Sequence, residues 1–132
     1  MRKMRRVCVS GYFDPLHGGH VDFLKAAAAL GDLLIVILNT DQQARARGRK
    51  TTHVHAERKK ILESIRYVHE VVDSIDTDFT VCKTLAGIRP DVFANGGTCE
   101  AFPEHGVCET HNIACVLNVG GIRGIEPVYE GV

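Results

Sequence analysis

Six consecutive apolar residues, Leu33-Leu34-Ile35-Val36-Ile37-Leu38, constrain this chain more than any other stretch. A run this short suits a strand, and with no polar residue at every second position neither of its faces can be left to water. Such a strand belongs to a sheet covered by helices on both sides. The rest of the chain agrees. Apolar segments near residues 5–10, 33–38, 70–74, 91–95 and 114–119 alternate with helical patterns near 20–30, 55–67, 79–88 and 104–112. That alternation predicts an α/β fold, a doubly wound parallel sheet of five strands with helices on both faces. No internal repeat, linker or low-complexity segment divides the 132 residues, so a single domain over residues 1–132 is expected.

Where the first strand gives way to the first helix, the chain reads Gly11-Tyr12-Phe13-Asp14-Pro15-Leu16-His17-Gly18-Gly19-His20. The helix that follows is alanine-rich, with Phe23, Leu24, Ala27 and Leu30 on one face. The two histidines therefore sit at a strand's C-terminal end and a helix's N-terminal end. In an open α/β sheet this is where free backbone N–H groups and the helix dipole attract phosphate. Gly18 and Gly19 lack a Cβ and permit close approach of the backbone to a ligand. Imidazoles add donors that strengthen as negative charge grows on a phosphoryl oxygen.

Composition excludes more than it assigns. Sixteen basic and sixteen acidic residues cancel, so no broad nucleic-acid surface is expected. No apolar run approaches the ~20 residues of a membrane-spanning helix. The basic start Met1-Arg2-Lys3-Met4-Arg5-Arg6 is not followed by the apolar region of a signal peptide. Five cysteines, an odd number, then read as reduced thiols, and the expected location is the cytoplasm.

The segment around His17 and His20 resembles the His-x-Gly-His signature of the nucleotidyltransferase superfamily, in particular its cytidylyltransferase-like members. The resemblance continues through Gly31–Asp41, through the Arg-bearing stretch Glu57–Val68 and through Ile88–Gly97, and covers most of residues 5 to 122. It implies a Rossmann-like fold and a reaction in which a phosphomonoester attacks the α-phosphate of a nucleoside triphosphate in line and pyrophosphate leaves. It also implies Mg²⁺ accompanying the triphosphate, and a homodimer.

The same resemblance assigns residues to the site. His17, His20 and Arg47 become catalytic. Nucleotide binding falls to Gly11, Tyr12, Phe13, Asp14 and Gly19 in the signature. It falls also to Arg49 in the basic segment and to Arg58 on the third helical pattern, with Arg66 a weaker candidate two turns on. Asn95, Gly96 and Gly97 after the fourth strand are included, as are Gly121 and Ile122 near the end. Within the signature, Phe13 is expected to pack while Asp14 fixes the turn that presents the histidines. The segment Arg45-Ala46-Arg47-Gly48-Arg49-Lys50 carries four positive charges in six residues and is read as a phosphate clamp in a loop. His53 and His55 match no motif position and read as surface-loop residues.

The nearest members transfer a cytidylyl group from CTP to glycerol 3-phosphate or a sugar phosphate. Adenylyl transfer from ATP to a sugar phosphate or FMN is the neighbouring possibility. One departure stands out: the family carries Ser/Thr hydroxyls after its fifth strand, whereas Asn118–Pro127 keeps Gly121-Ile122 without them. Either Arg123 or the Arg45, Arg47 and Arg49 group supplies the missing contacts, or the chain is a weakened nucleotide-binding regulatory module. Cys99, His105, Cys108 and His111 form a separate pattern compatible with zinc, and core cysteines with two surface histidines explain it more cheaply.

Overall fold

The computed structural model describes residues 3–97 and 102–120. The elements run β1 (Arg6–Gly11), α1 (Gly18–Ala28), β2 (Leu33–Leu38), α2 (Asp41–Ala46), α3 (His55–Glu63), β3 (Glu70–Asp73), α4 (Cys82–Ile88), β4 (Val92–Ala94), α5 (Pro103–Thr110) and β5 (Ala114–Val116). All strand pairings are parallel, in the order β3-β2-β1-β4-β5. The expected doubly wound, Rossmann-like sheet is the one observed.

Two apolar layers explain why β1 and β2 lack a polar face. Val7, Val9, Leu34, Val36 and Leu38 pack with Phe23, Leu24 and Ala27 of α1 and Leu62 of α3. Their neighbours Cys8, Ile35 and Ile37 point the other way and pack with Leu85 of α4 and Cys108 of α5. Successive side chains of a strand alternate between faces, so a sheet with helices on both sides asks for apolar residues at every position. Burying a side chain such as Phe23 or Leu24 contributes about 1.5–3 kcal/mol.

Element boundaries depart from expectation at tight turns. The helical pattern over 55–67 stops at Glu63, and residues 64–68 leave it through successive turn hydrogen bonds such as Val68 N–H to Ile65 O, 3.0 Å. The fifth strand ends at Val116 because Asn118 takes a positive φ of 54°. The basic segment expected to be a loop begins inside a helix. Thr40 caps α2 by accepting from Gln43 N–H at 3.0 Å, and Gln43 Oε1 accepts from Thr40 N–H at 2.9 Å. Arg45 and Ala46 are thus helical, and Arg47 is the C-terminal cap.

Gly31 marks the return from α1 to β2. A Cβ built there would lie 2.7 Å from Arg5 O and 2.8 Å from Val7 Cγ2. Asp32 N–H also donates to Arg5 O at 2.7 Å, so this backbone cannot back away without losing a bond. Gly31→Ala is expected to cost about 1–3 kcal/mol by overpacking, read as a lower urea midpoint with an unchanged slope. A midpoint equal to the parent's would show that the turn yields freely.

Candidate active site

The strand order places β1 at the switch point, where the chain has wound outward through β2 and β3 and then returns to lay down β4 and β5 on the other side. In such sheets the crevice beyond the carboxyl ends of the strands takes the ligand. Two structures occupy that edge, one on each face of β1.

On the α1 side, His17 and His20 cap the helix for each other. His17 Nδ1 accepts from Gly19 N–H at 3.0 Å, and His20 Nδ1 accepts from His17 N–H at 3.3 Å, a capping box in which both side chains are imidazoles. Their rings stack with centroids 3.9 Å apart, and Phe13 meets His20 edge-on at 5.1 Å. With Nδ1 accepting, the neutral ring carries its hydrogen on Nε2, so the cap selects the tautomer and makes Nε2 the donor. At Gly18 an added Cβ would meet nothing within 4 Å, leaving open space beside the first turn.

On the α4 and α5 side lies a cavity of about 340 Å³. Ser10 and Tyr12 come from β1 and its turn, Asn39 from the end of β2, and Arg47 from the end of α2. Phe79, Thr80 and Val81 come from the segment before α4, and Phe93, Asn95, Phe102, Pro103 and Glu104 from β4 through the start of α5. Arg47 sits over the rings of Tyr12 and Phe79 at 6.0 and 5.8 Å, and Arg49 over Tyr12 at 4.6 Å. Two of the expected phosphate-clamp arginines therefore rest on aromatic rings at this edge. Gln43, almost fully buried, ties α2 to the cavity wall by donating to Asp78 O at 2.7 Å and Thr80 O at 3.1 Å.

Arg58, expected among the nucleotide-binding residues, is turned inward and is not among the cavity's lining residues. Its side chain is fully buried, and its donors go to His53 O (3.1 Å), Tyr12 O (2.8 Å), Asn39 O (3.0 Å) and Asp41 Oδ1 (2.7 Å). It clamps the ends of β1 and β2 together from within. Asp41 also accepts from His55 N–H at 2.9 Å. Burial alone would raise this carboxyl. The His55 hydrogen bond and the Arg58 guanidinium outweigh it and hold Asp41 below the usual carboxylate range.

Asp14 and Phe13 also hold the frame of the turn. Both Asp14 oxygens accept backbone N–H groups, from Thr52 and His53 at 2.7 Å each, which pins the 52–53 segment to the signature turn. Phe13 is buried with a φ of 48° and packs on the α1 face. Arg66 donates to Tyr67 Oη at 3.0 Å on the exposed surface, away from these groups. His53 and His55 are more than surface-loop residues, since their backbones bond Asp14, Arg58 and Asp41, and His55 Nε2 lies 3.1 Å from Asp73 Oδ1.

Gly11 ends β1 and accepts from Asn39 N–H at 2.9 Å. Asn95 lines the cavity while its Oδ1 takes Gly97 N–H at 2.6 Å, with Gly96 spanning the turn between them. Gly121, Ile122 and Arg123, together with Thr98 and Cys99, lie outside the described residues. The zinc pattern finds no support in the rest: among the described residues no three His, Cys, Asp or Glu side chains gather to hold a metal ion. Cys108 is turned into the core, where burial pushes its thiol up to about 12.

The pocket walls Phe79, Phe102 and Glu104 were missed by sequence reasoning, since no local pattern marks them. The cap of α2 had a signal, Thr40-Asp41-Gln42-Gln43, a capping box written in four residues.

Residues 8–116 match the cytidylyltransferase-like family. The chain belongs to that family. Among curated relatives, the FAD synthase of Pyrococcus horikoshii is 41% identical over 92 residues, covering 69% of this chain and 62% of that protein. The glycerol-3-phosphate cytidylyltransferase of Bacillus subtilis is 45% identical over 69 residues, covering 52% of this chain and 54% of the other. A solved lipopolysaccharide core biosynthesis protein from Thermoplasma volcanium superposes with a TM-score of 0.75 at 27% identity, over 87% of this chain and 96% of that one. The chain thus spans less than two thirds of the length of the curated relatives it matches. Among the described residues no helix is long and apolar enough to cross a membrane.

Proposed function

We propose that this cytidylyltransferase-like chain is a nucleotidyltransferase, moving a nucleotidyl group, CMP from CTP in the first instance, onto a small phosphomonoester such as glycerol 3-phosphate or a sugar phosphate. The observation that carries the reading is the imidazole pair at the start of α1, each ring capping the helix through Nδ1. Donors of fixed tautomer at a helix N-terminus suit a phosphoryl group on which charge grows. Arg47 and Arg49 supply positive charge at the same edge. The chemistry is positioning and charge stabilisation, with no covalent enzyme intermediate.

A second reading, adenylyl transfer from ATP to FMN, draws support from the cavity. Tyr12, Phe79, Phe93 and Phe102 line it, and aromatic walls suit a flat ring better than a three-carbon phosphate. Magnesium enters either reading only as part of the triphosphate substrate. Each Asp14 oxygen accepts a backbone N–H group, and no step is routed through a protein-held ion. A homodimer belongs to the proposal on the resemblance alone, and sedimentation equilibrium reads it.

Pyrophosphate release with CTP or ATP, Mg²⁺ and a panel including glycerol 3-phosphate and FMN tests both readings. Release with one pair identifies the nucleotide and the acceptor. Calorimetric binding of nucleotide with no release from any pair would instead make the chain the regulatory module that its altered C-terminal segment suggests.

A further inference from the structure

Asn39 is 3% exposed, and only one end of its carboxamide is occupied among the described residues. The neighbouring Gln43 decides which end. Gln43 Nε2 donates to the carbonyls of Asp78 and Thr80, which can only accept, so the Gln43 amide cannot be turned round. Its Oε1 therefore faces Asn39 and takes the Nδ2 hydrogen at 3.2 Å. That leaves Asn39 Oδ1, a pure acceptor, without a donor among the described residues. The Tyr12 hydroxyl is both unpaired and sealed from solvent, whereas Asn39 Oδ1 keeps contact with open space. The space that Asn39 borders is the cavity beyond the strand ends.

The strands explain why this amide faces the cavity and why it has polar company. Ile35 and Ile37 of β2 point to the α4 and α5 side, so alternation sends Asn39, two residues on, the same way. Cys8 of β1 and Phe93 of β4 point to that side too, and Ser10 and Asn95 follow them. β2, β1 and β4 are neighbours in the sheet, and each thus sets one uncharged polar side chain into the cavity wall. Strands lie about 4.8 Å apart, so the row from Asn39 to Asn95 is about 10 Å long. Asn95 Oδ1 takes Gly97 N–H, which leaves its Nδ2 as the donor of the row. A hydroxyl both donates and accepts, so hydroxyls along one carbon chain can meet Asn39 at one end and Asn95 at the other.

We infer that Asn39 is a specificity-determining residue: its Oδ1 accepts a hydrogen bond from a hydroxyl of the acceptor, and Asn39, Ser10 and Asn95 together read the hydroxylated chain that carries the acceptor's phosphate. The inference rests on the nucleotidyl-transfer reading, with the acceptor seated in this cavity, and it moves Asn95 from the nucleotide to the acceptor. Glycerol 3-phosphate and the ribityl phosphate of FMN share the chemistry it requires.

Matched phosphomonoesters test it: glycerol 3-phosphate against propyl phosphate, and FMN against a flavin phosphate whose chain carries no hydroxyls. Each is titrated calorimetrically without triphosphate and compared as kcat/KM in pyrophosphate release. The parent is expected to prefer the hydroxylated member of one pair about tenfold or more, because the bare chain leaves Asn39 Oδ1 unpaired. Asn39→Ala should shrink that preference about tenfold, weakening the hydroxylated member while the bare one moves less than about twofold. Ser10→Ala, whose parent side chain makes no hydrogen bond among the described residues, should shrink it too and serves where Asn39→Ala does not fold. A structural role would weaken both members alike, and an unchanged preference in the variants overturns the inference. A parent that takes both members equally, or neither, overturns it without any variant. The pair that shows the preference tells a glycerol phosphate from a flavin. A preference that appears and shrinks in binding while no pair releases pyrophosphate upholds the subsite and defeats the transfer reaction.

Discussion

Removing either imidazole at the start of α1 is expected to lower the rate of pyrophosphate release about 10²–10³-fold, the scale on which a single preorganised donor to a developing oxyanion acts. Alanine would confuse two effects, since His17 and His20 also cap the helix and losing a cap costs about 1 kcal/mol. His17→Asn and His20→Gln separate them. Asparagine is a favoured N-cap acceptor, and glutamine completes a capping box at the third position, so the helix start is retained while the rings are lost. Both variants should unfold within about 1 kcal/mol of the parent in urea. Their kcat should nonetheless fall by the full factor with triphosphate KM moved far less, the signature of an interaction made in the transition state. Rates within threefold of the parent would mean that the imidazoles are there for the helix alone.

Arg58→Met is expected to destabilise the fold by about 3–5 kcal/mol, since it removes a fully buried guanidinium and leaves the part-exposed Asp41 and several carbonyls without their donor. Methionine replaces the stem of the side chain but none of its donors. Three carbonyls, of Tyr12, Asn39 and His53, lose their bonds along with Asp41. Urea denaturation measures the loss, and a change under 1 kcal/mol would show that the clamp is dispensable. The same cluster predicts an acid dependence. The folded Asp41 carboxyl lies below its unfolded value, so its contribution is complete above an unfolded value of about 3.9 and is lost as pH falls through the folded value. Asp41→Asn should therefore be less stable than the parent at pH 7, and the gap should narrow on acidification below about pH 4. A gap that stays constant down to pH 2 would assign the acid sensitivity to other carboxylates.

Arg58 also shows where sequence reading stops. Glu57, Arg58, Lys59 and Lys60 are four adjacent charges on one helix, and nothing among them marks the second as buried. Its partners lie 46, 19, 17 and 5 residues away, so the decision is made only when β1, β2 and α2 converge. The basic segment taught the converse. Its charges hid a helix, although Thr40 and Gln43 had already written the cap in four residues.

The sequence by itself determined the layered parallel sheet and the position of the histidine pair. Apolar periodicity and capping act within a few residues, and a strand apolar at every position leaves only a two-sided cover. The tertiary structure alone decided which side chains face one another across the switch point: Phe79, Phe102 and Glu104 as cavity walls, and Arg58 as a clamp. Those assignments depend on where segments dozens of residues apart meet, because burial and pairing are properties of the assembled surfaces and not of any local pattern.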